Sequence, residues 1–141
     1  VSGAITYRNP AGARSKPSLY SHVAIVPAGR LAFIAGQVSP RAGNRENEFA
    51  RQFEEVMEAI GLILDDLGAA FDDVAEFVTY LVDPDHIAEF RSLRNELFPK
   101  LFQSEGYPPN TLLVVQRLGE PEWLLEMKTV VRLPADGLVR S

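Results

Sequence analysis

Val74-Ala75-Glu76-Phe77-Val78-Thr79-Tyr80-Leu81-Val82, followed at once by Asp83-Pro84, is the stretch on which the architecture turns. Val, Phe, Thr and Tyr favour a pleated, packed surface, so the run reads as a strand. Only Glu76 and Thr79 interrupt its apolar character, which marks a central strand covered on both faces. Asp83-Pro84 then opens a helix. The carboxylate accepts from the first free N–H groups, and proline at the first helical position gives up no needed donor. Ile87, Phe90, Leu93, Leu97, Phe98 and Leu101 supply that helix with a buried stripe.

Upstream, Glu48 to Leu67 carries Phe49, Phe53, Val56, Met57, Ile60, Ile63, Leu64 and Leu67 at intervals of three and four, one face of an α-helix. Gly68 follows, where a left-handed cap would end it. Ser21–Val26 and Leu31–Ala35 are short apolar runs separated by Pro27-Ala28-Gly29-Arg30, and read as a β-hairpin. Residues 1–19, rich in Gly, Pro, Ala and Ser, read as an irregular lead-in, and 39–47 as a polar loop. Downstream, Thr111–Gln116 and Trp123–Leu133 read as strands. The last places Trp123, Leu125, Met127, Thr129, Val131 and Leu133 on one face and Leu124, Glu126, Lys128, Val130 and Arg132 on the other. The order β-β-α-β-α-β-β predicts a single α+β domain over 1–141, with two helices on one face of a mixed sheet. The other face keeps apolar side chains from at least three strands, which predicts burial against further copies of the chain.

Composition narrows the functional classes. The 141 residues carry a net charge of −5, with 14 Lys and Arg in no dense cluster, which argues against binding a phosphate backbone. The absence of cysteine excludes thiol catalysis, disulfides and thiolate zinc sites. No apolar run is long enough to span a bilayer, and no signal peptide is visible, so the expected location is the cytoplasm. There is no P-loop, no GxGxxG and no metal-ligand spacing, so neither cofactor nor metal is expected. His22 and His86 are too far apart in sequence to suggest a metal pair, and Trp123 reads as core or interface.

Tyr20-Ser21-His22, Leu31-Ala32-Phe33-Ile34-Ala35-Gly36-Gln37-Val38, Pro108-Pro109-Asn110-Thr111-Leu112-Leu113-Val114-Val115 and Glu122-Trp123-Leu124-Leu125-Glu126-Met127 resemble, in order and spacing, the RidA/YjgF (endoribonuclease L-PSP-like) family. The resemblance spans Tyr20 to Leu133. It implies a chorismate-mutase-like sandwich with a six-stranded-type mixed sheet. It also implies a homotrimer with small-molecule sites in the clefts between subunits. In the imine-hydrolysing members an arginine clamps the substrate carboxylate, a glutamate on the last strand handles water, a tyrosine packs over the substrate, and a Ser-Gly or Ala-Gly step supplies backbone groups.

By this resemblance Glu126 is the catalytic candidate, and Tyr20, Ala35, Gly36 and Asn110 line the substrate site. Asn110 stands where those members have arginine, and Ala35 where many have serine. The chain therefore looks like an arginine-lacking branch, and the expectation runs against standard 2-imino-acid deaminase activity. Arg91 is carried as a substitute clamp, while Arg94 and Arg117 are also available. Each residue has a plainer reading beside this one. Tyr20 can be a packing residue, Asn110 a turn residue after two prolines, and Glu126 one partner of an ion pair with Lys128 or Arg132. Three functions stay open: water addition to an imine, enamine or amide-like metabolite; a non-catalytic ligand-binding trimer; and, with least support, an endoribonuclease.

Overall fold

The computed structural model describes residues 3–13, 19–104 and 106–134. Six strands and two helices make an α+β fold: β1 (Thr6–Arg8), β2 (Val23–Ile25), β3 (Leu31–Gln37), α1 (Glu48–Asp66), β4 (Val74–Leu81), α2 (Ile87–Leu101), β5 (Asn110–Val114) and β6 (Leu125–Arg132). Four strands form a mixed sheet in the order β3-β6-β4-β5. β4 is internal, antiparallel to β6 and parallel to β5, as its two-sided apolar character predicts.

Both helices fall where the periodicity puts them. α1 buries Phe49, Phe53, Val56, Met57, Ile60 and Leu64. Together with Phe77, Leu81, Leu125, Met127 and Val131 of the sheet and Phe90 and Phe98 of α2, they form the main core. Gly68 closes α1 at φ 68. Its N–H donates to the Asp65 carbonyl at 3.1 Å, and that of Ala69 to Leu64 at 2.9 Å. These two bonds make a Schellman cap, which only a residue at ease with positive φ completes without strain. Before α2, Asp83 caps a 3-10 turn, Pro84–His86, by accepting from the Asp85 N–H at 2.9 Å.

Two expectations need correction. The lead-in is not wholly irregular, because Thr6–Arg8 forms a strand; positions 1, 2 and 14–18 of that lead-in lie outside the described residues. Nor do the second and third strands form a hairpin. β2 pairs antiparallel with β1, and β3 with β6. The intervening turn is held from outside: the Leu133 N–H donates to the Arg30 carbonyl at 2.9 Å, and the Arg132 guanidinium to the Ala28 carbonyl at 3.3 Å. Anchored to the end of β6, the turn lets the two strands part into different sheets. The β1–β2 ladder folds over the sheet face away from the helices. There Ile5, Ala75 and Val130 form a second, small core.

That ladder leaves much of the face open. Leu31 and Phe33 on β3 and Leu113 on β5 are large apolar side chains exposed on it, Phe33 to 69%; Val23 and Ile25 of β2 are exposed on the outside of the ladder, and Val114, in register with buried Leu81, belongs to the helix-covered side. With half-buried Val78 and Tyr80 of β4 on the same face, three strands contribute, as the pattern predicts.

Candidate functional site

Gly36 and Glu126, about ninety residues apart in sequence, meet across β3 and β6. Ile34 pairs with Thr129 and Gln37 with Met127, so Ala35 and Gly36 together oppose Lys128. Two residues against one is a β-bulge, a device that bends a strand and re-aims what lies beside it. The Glu126 carboxylate lies directly on the bulge. A Cβ placed on Gly36 would overlap it, with the Glu126 Cγ only 2.8 Å away. Glycine is therefore required here so that a carboxylate can rest against backbone.

Glu126 is half-buried on the face away from the helices, cross-strand from Tyr80. The ion pair that the plainer reading offers does not form. Lys128 places its ammonium over the Phe33 ring, 5.9 Å from the centroid. Arg132 donates to the carbonyls of Gly3 at 2.7 Å and Ala28 at 3.3 Å. Among the described residues no Lys, Arg or His salt-bridges Glu126.

The approach to β6 is fixed by Gln52, which sequence reasoning missed. It stands among the apolar residues of the buried face of α1 and is fully enclosed. Its amide donates to the Glu122 carbonyl at 2.9 Å and accepts from the Leu124 N–H at 2.9 Å. It also donates to Glu48 at 2.7 Å. A polar residue on an otherwise apolar stripe was the available signal, since such a group must find partners when buried. Around it, Arg45 bonds both Glu48 and Glu55, and Ser39 and Arg41 bond Glu55. Arg45 chiefly, with the Gly43 N–H and Gln52 also contributing, holds the Glu48 carboxyl at about 2. Arg45 and then Ser39 hold Glu55 at about 2. This network ties loop 39–47, which follows the bulge, to α1.

Asn110 belongs to the opposite face. It starts β5 in register with Phe77, and its side-chain oxygen accepts from the Thr79 hydroxyl at 2.8 Å. Phe77 and Thr79 are both buried on the helix-covered side, whereas Glu126 faces away from it. One chain therefore brings Gly36, Ala35 and Glu126 together and leaves Asn110 apart.

Tyr20 is half-buried elsewhere, its ring edge-on to His22 at 5.9 Å. The arginine beside it is Arg94, with Cζ 5.9 Å from the Tyr20 centroid and 5.6 Å from that of Phe90. Arg94 is only 5% exposed, whereas Arg91 is exposed. His86, at the end of the 3-10 turn before α2, stacks on Phe49 at 4.4 Å. No group of three His, Asp or Glu able to hold a metal occurs among the described residues. Among them, too, no helix is long and apolar enough to cross a membrane. A hollow of about 620 Å³ between α1 and the end of α2, lined by Met57, Leu62, Phe71, Leu97 and Leu101, includes none of the expected site residues.

Comparison with known proteins places this geometry in a family. The family model described as Endoribonuclease L-PSP matches residues 13–133. A RutC family protein from Escherichia coli, YjgH, is 28% identical over 127 residues, 89% of this chain and 92% of its own. Among solved structures, a protein of unknown function of the conserved Rid family from Yersinia pestis, YyfB, superposes with a TM-score of 0.76 at 25% identity, over 93% of this chain and 100% of that one. RidA from an Antarctic Psychrobacter superposes with a TM-score of 0.59 at 25% identity, over 92% and 98%.

Proposed function

This chain belongs to the Endoribonuclease L-PSP family, the family of the RidA and YjgF proteins, and on that premise we propose that it is a small-molecule enzyme. It adds water to an imine, enamine or related amide-like metabolite, releasing the nitrogen, in a cleft completed by a neighbouring subunit of a homotrimer. One observation carries this reading: the Glu126 carboxylate, without a salt-bridge partner among the described residues, rests on the bulged backbone at Gly36. A carboxylate so placed can accept a proton from water as the water attacks an imine carbon. Backbone N–H groups beside a bulge can meet charge that develops in the transition state.

Glu126→Gln tests the role. The expected result is a fall in turnover of about 10²–10⁴-fold, the usual worth of a positioned general base, with assembly unchanged. Unchanged turnover removes Glu126 from the chemistry. The substrate to try first is 2-iminobutanoate, made in situ by threonine dehydratase, with native protein beside Asn110→Arg. Activity only in the variant would mean a working cleft tuned to substrates without that carboxylate.

A second reading, a ligand-binding trimer without chemistry, is favoured by the bond from Thr79 to Asn110. It commits the amide oxygen to the protein's own strand and leaves no charge where the family's arginine would stand. On that reading a ligand raises the melting temperature and no product forms.

A further inference from the structure

Glu54, Glu58, Gly61 and Asp65 of α1 line one edge of the hollow between α1 and the end of α2. Their spacing of four, three and four puts them on a single stripe of the helix. Met57, Leu64, Phe71 and Leu97 give the hollow an apolar lining, and its volume of about 620 Å³ is in the range of small-molecule pockets. Among the described residues no Lys, Arg or His lines it, and none of the three carboxylates enters an ion pair. The helix does not compensate them either. Glu54 and Glu58 are like charges one turn apart. Asp65 stands in the last turn of α1, which holds no basic residue and is the negative end of the macrodipole.

Gly61 opens the space. It sits within α1, where glycine is a poorer helix former than any residue but proline. Close packing does not require it, because a Cβ built there would meet the Phe71 ring at 3.7 Å, an ordinary contact. What its missing side chain leaves is room in the hollow.

We propose that this hollow binds a small organic ammonium, an apolar body carrying one cationic head. The body covers the apolar lining, and the head stays at the rim beside Glu58, with Glu54 and Asp65 on either side of it along the helix. The same three carboxylates repel an anion, and an uncharged guest gains nothing from their charge. A concave space of this size fits a metabolite-sized guest better than a protein surface. Neither Glu126 nor any other residue of the proposed hydrolytic site lines the hollow, so the two readings stand or fail separately.

The test titrates the whole protein with hexylammonium and with its uncharged counterpart hexanol, followed by amide ¹H–¹⁵N spectra. Shifts are expected at Gly61, Leu62, Ala69 and Ala70. Hexylammonium is expected to bind about fivefold more tightly than hexanol at low salt, the upper worth of one exposed ion pair. That preference shrinks as salt is raised. Glu58→Gln combined with Asp65→Asn is expected to remove most of it while hexanol binding stays. Gly61→Leu, which sends a side chain into the hollow, is expected to abolish binding of both probes without lowering the melting temperature. Equal binding of the two probes by native protein overturns the cationic class, as does a preference that survives in the double variant. Hexylammonium shifts that persist unchanged in Gly61→Leu, or that never appear at these amides, overturn the site. If Gly61→Leu alters the elution volume of the native protein, a second copy of the chain occupies the hollow and the proposal fails. Should Gly61→Leu not fold, the native comparison and the double variant still decide.

Discussion

Gly36 is the residue at which a single methyl group would collide with the Glu126 carboxylate. Gly36→Ala would drive a Cβ into the Glu126 carboxylate. The expected cost is about 1–3 kcal/mol of stability, the range for forced overpacking, measured by urea unfolding, with turnover falling alongside. An unaltered midpoint and full activity would show that the carboxylate moves aside freely. Gly36 and Glu126 were singled out in the sequence by the family resemblance; that they touch follows from the β3–β6 register and the bulge, which the sequence does not show. Arg94 was harder to read. An arginine on a helix reads as a solvated side chain, and only the positions of Tyr20 and Phe90 in space show it turned inward. Asn110 has a partner that the sequence does not show. Its place in the family pattern is that of a site residue, yet its oxygen is bound to Thr79, a partner 31 positions away that a linear reading does not supply.

At the scale of elements, loop 39–47 is held to α1 by charge. The Glu48 and Glu55 carboxyls sit at about 2 in the folded chain, below the roughly 4.3 of a free glutamate. Their contribution is therefore complete above that unfolded value and is lost as pH falls from there toward about 2. Arg45→Met should lower the melting temperature at pH 7, and the gap to native protein should narrow as pH drops from 5 to 3. A gap of constant size across that range would mean that the arginine acts through packing alone. The helices, the central strand and the Gly68 cap were readable because each obeys a local period or a capping rule. β1 was not, because three residues in a Gly- and Pro-rich stretch carry no period. The split between β2 and β3 depends on bonds from Arg132 and Leu133, more than a hundred positions away.

For the whole molecule, the exposed apolar side chains Leu31 and Phe33 of β3 and Leu113 of β5 lie on one sheet face with no described segment over them. If they are the seam of the proposed trimer, native protein should elute at about three times the 15.6 kDa of the chain. Phe33→Glu, which sets a charge at the most exposed of them, should then shift it toward monomer while leaving the circular dichroism spectrum in place. A native protein that already runs as a monomer would remove the intersubunit cleft from the proposed function. The single-chain geometry bears on this, since Glu126 and Asn110 face opposite sides of one sheet. A site that uses both needs two subunits.

Gln52 grips the chain on either side of Trp123, through Glu122 and Leu124, and Trp123 is the sole tryptophan. Its indole also packs against Gly119. The molecule thus carries one native fluorophore, seated where the strand bearing Glu126 is fastened to α1. A shift in its emission during titration would signal that this fastening has loosened or tightened, so events beside the carboxylate can be followed optically with no label attached.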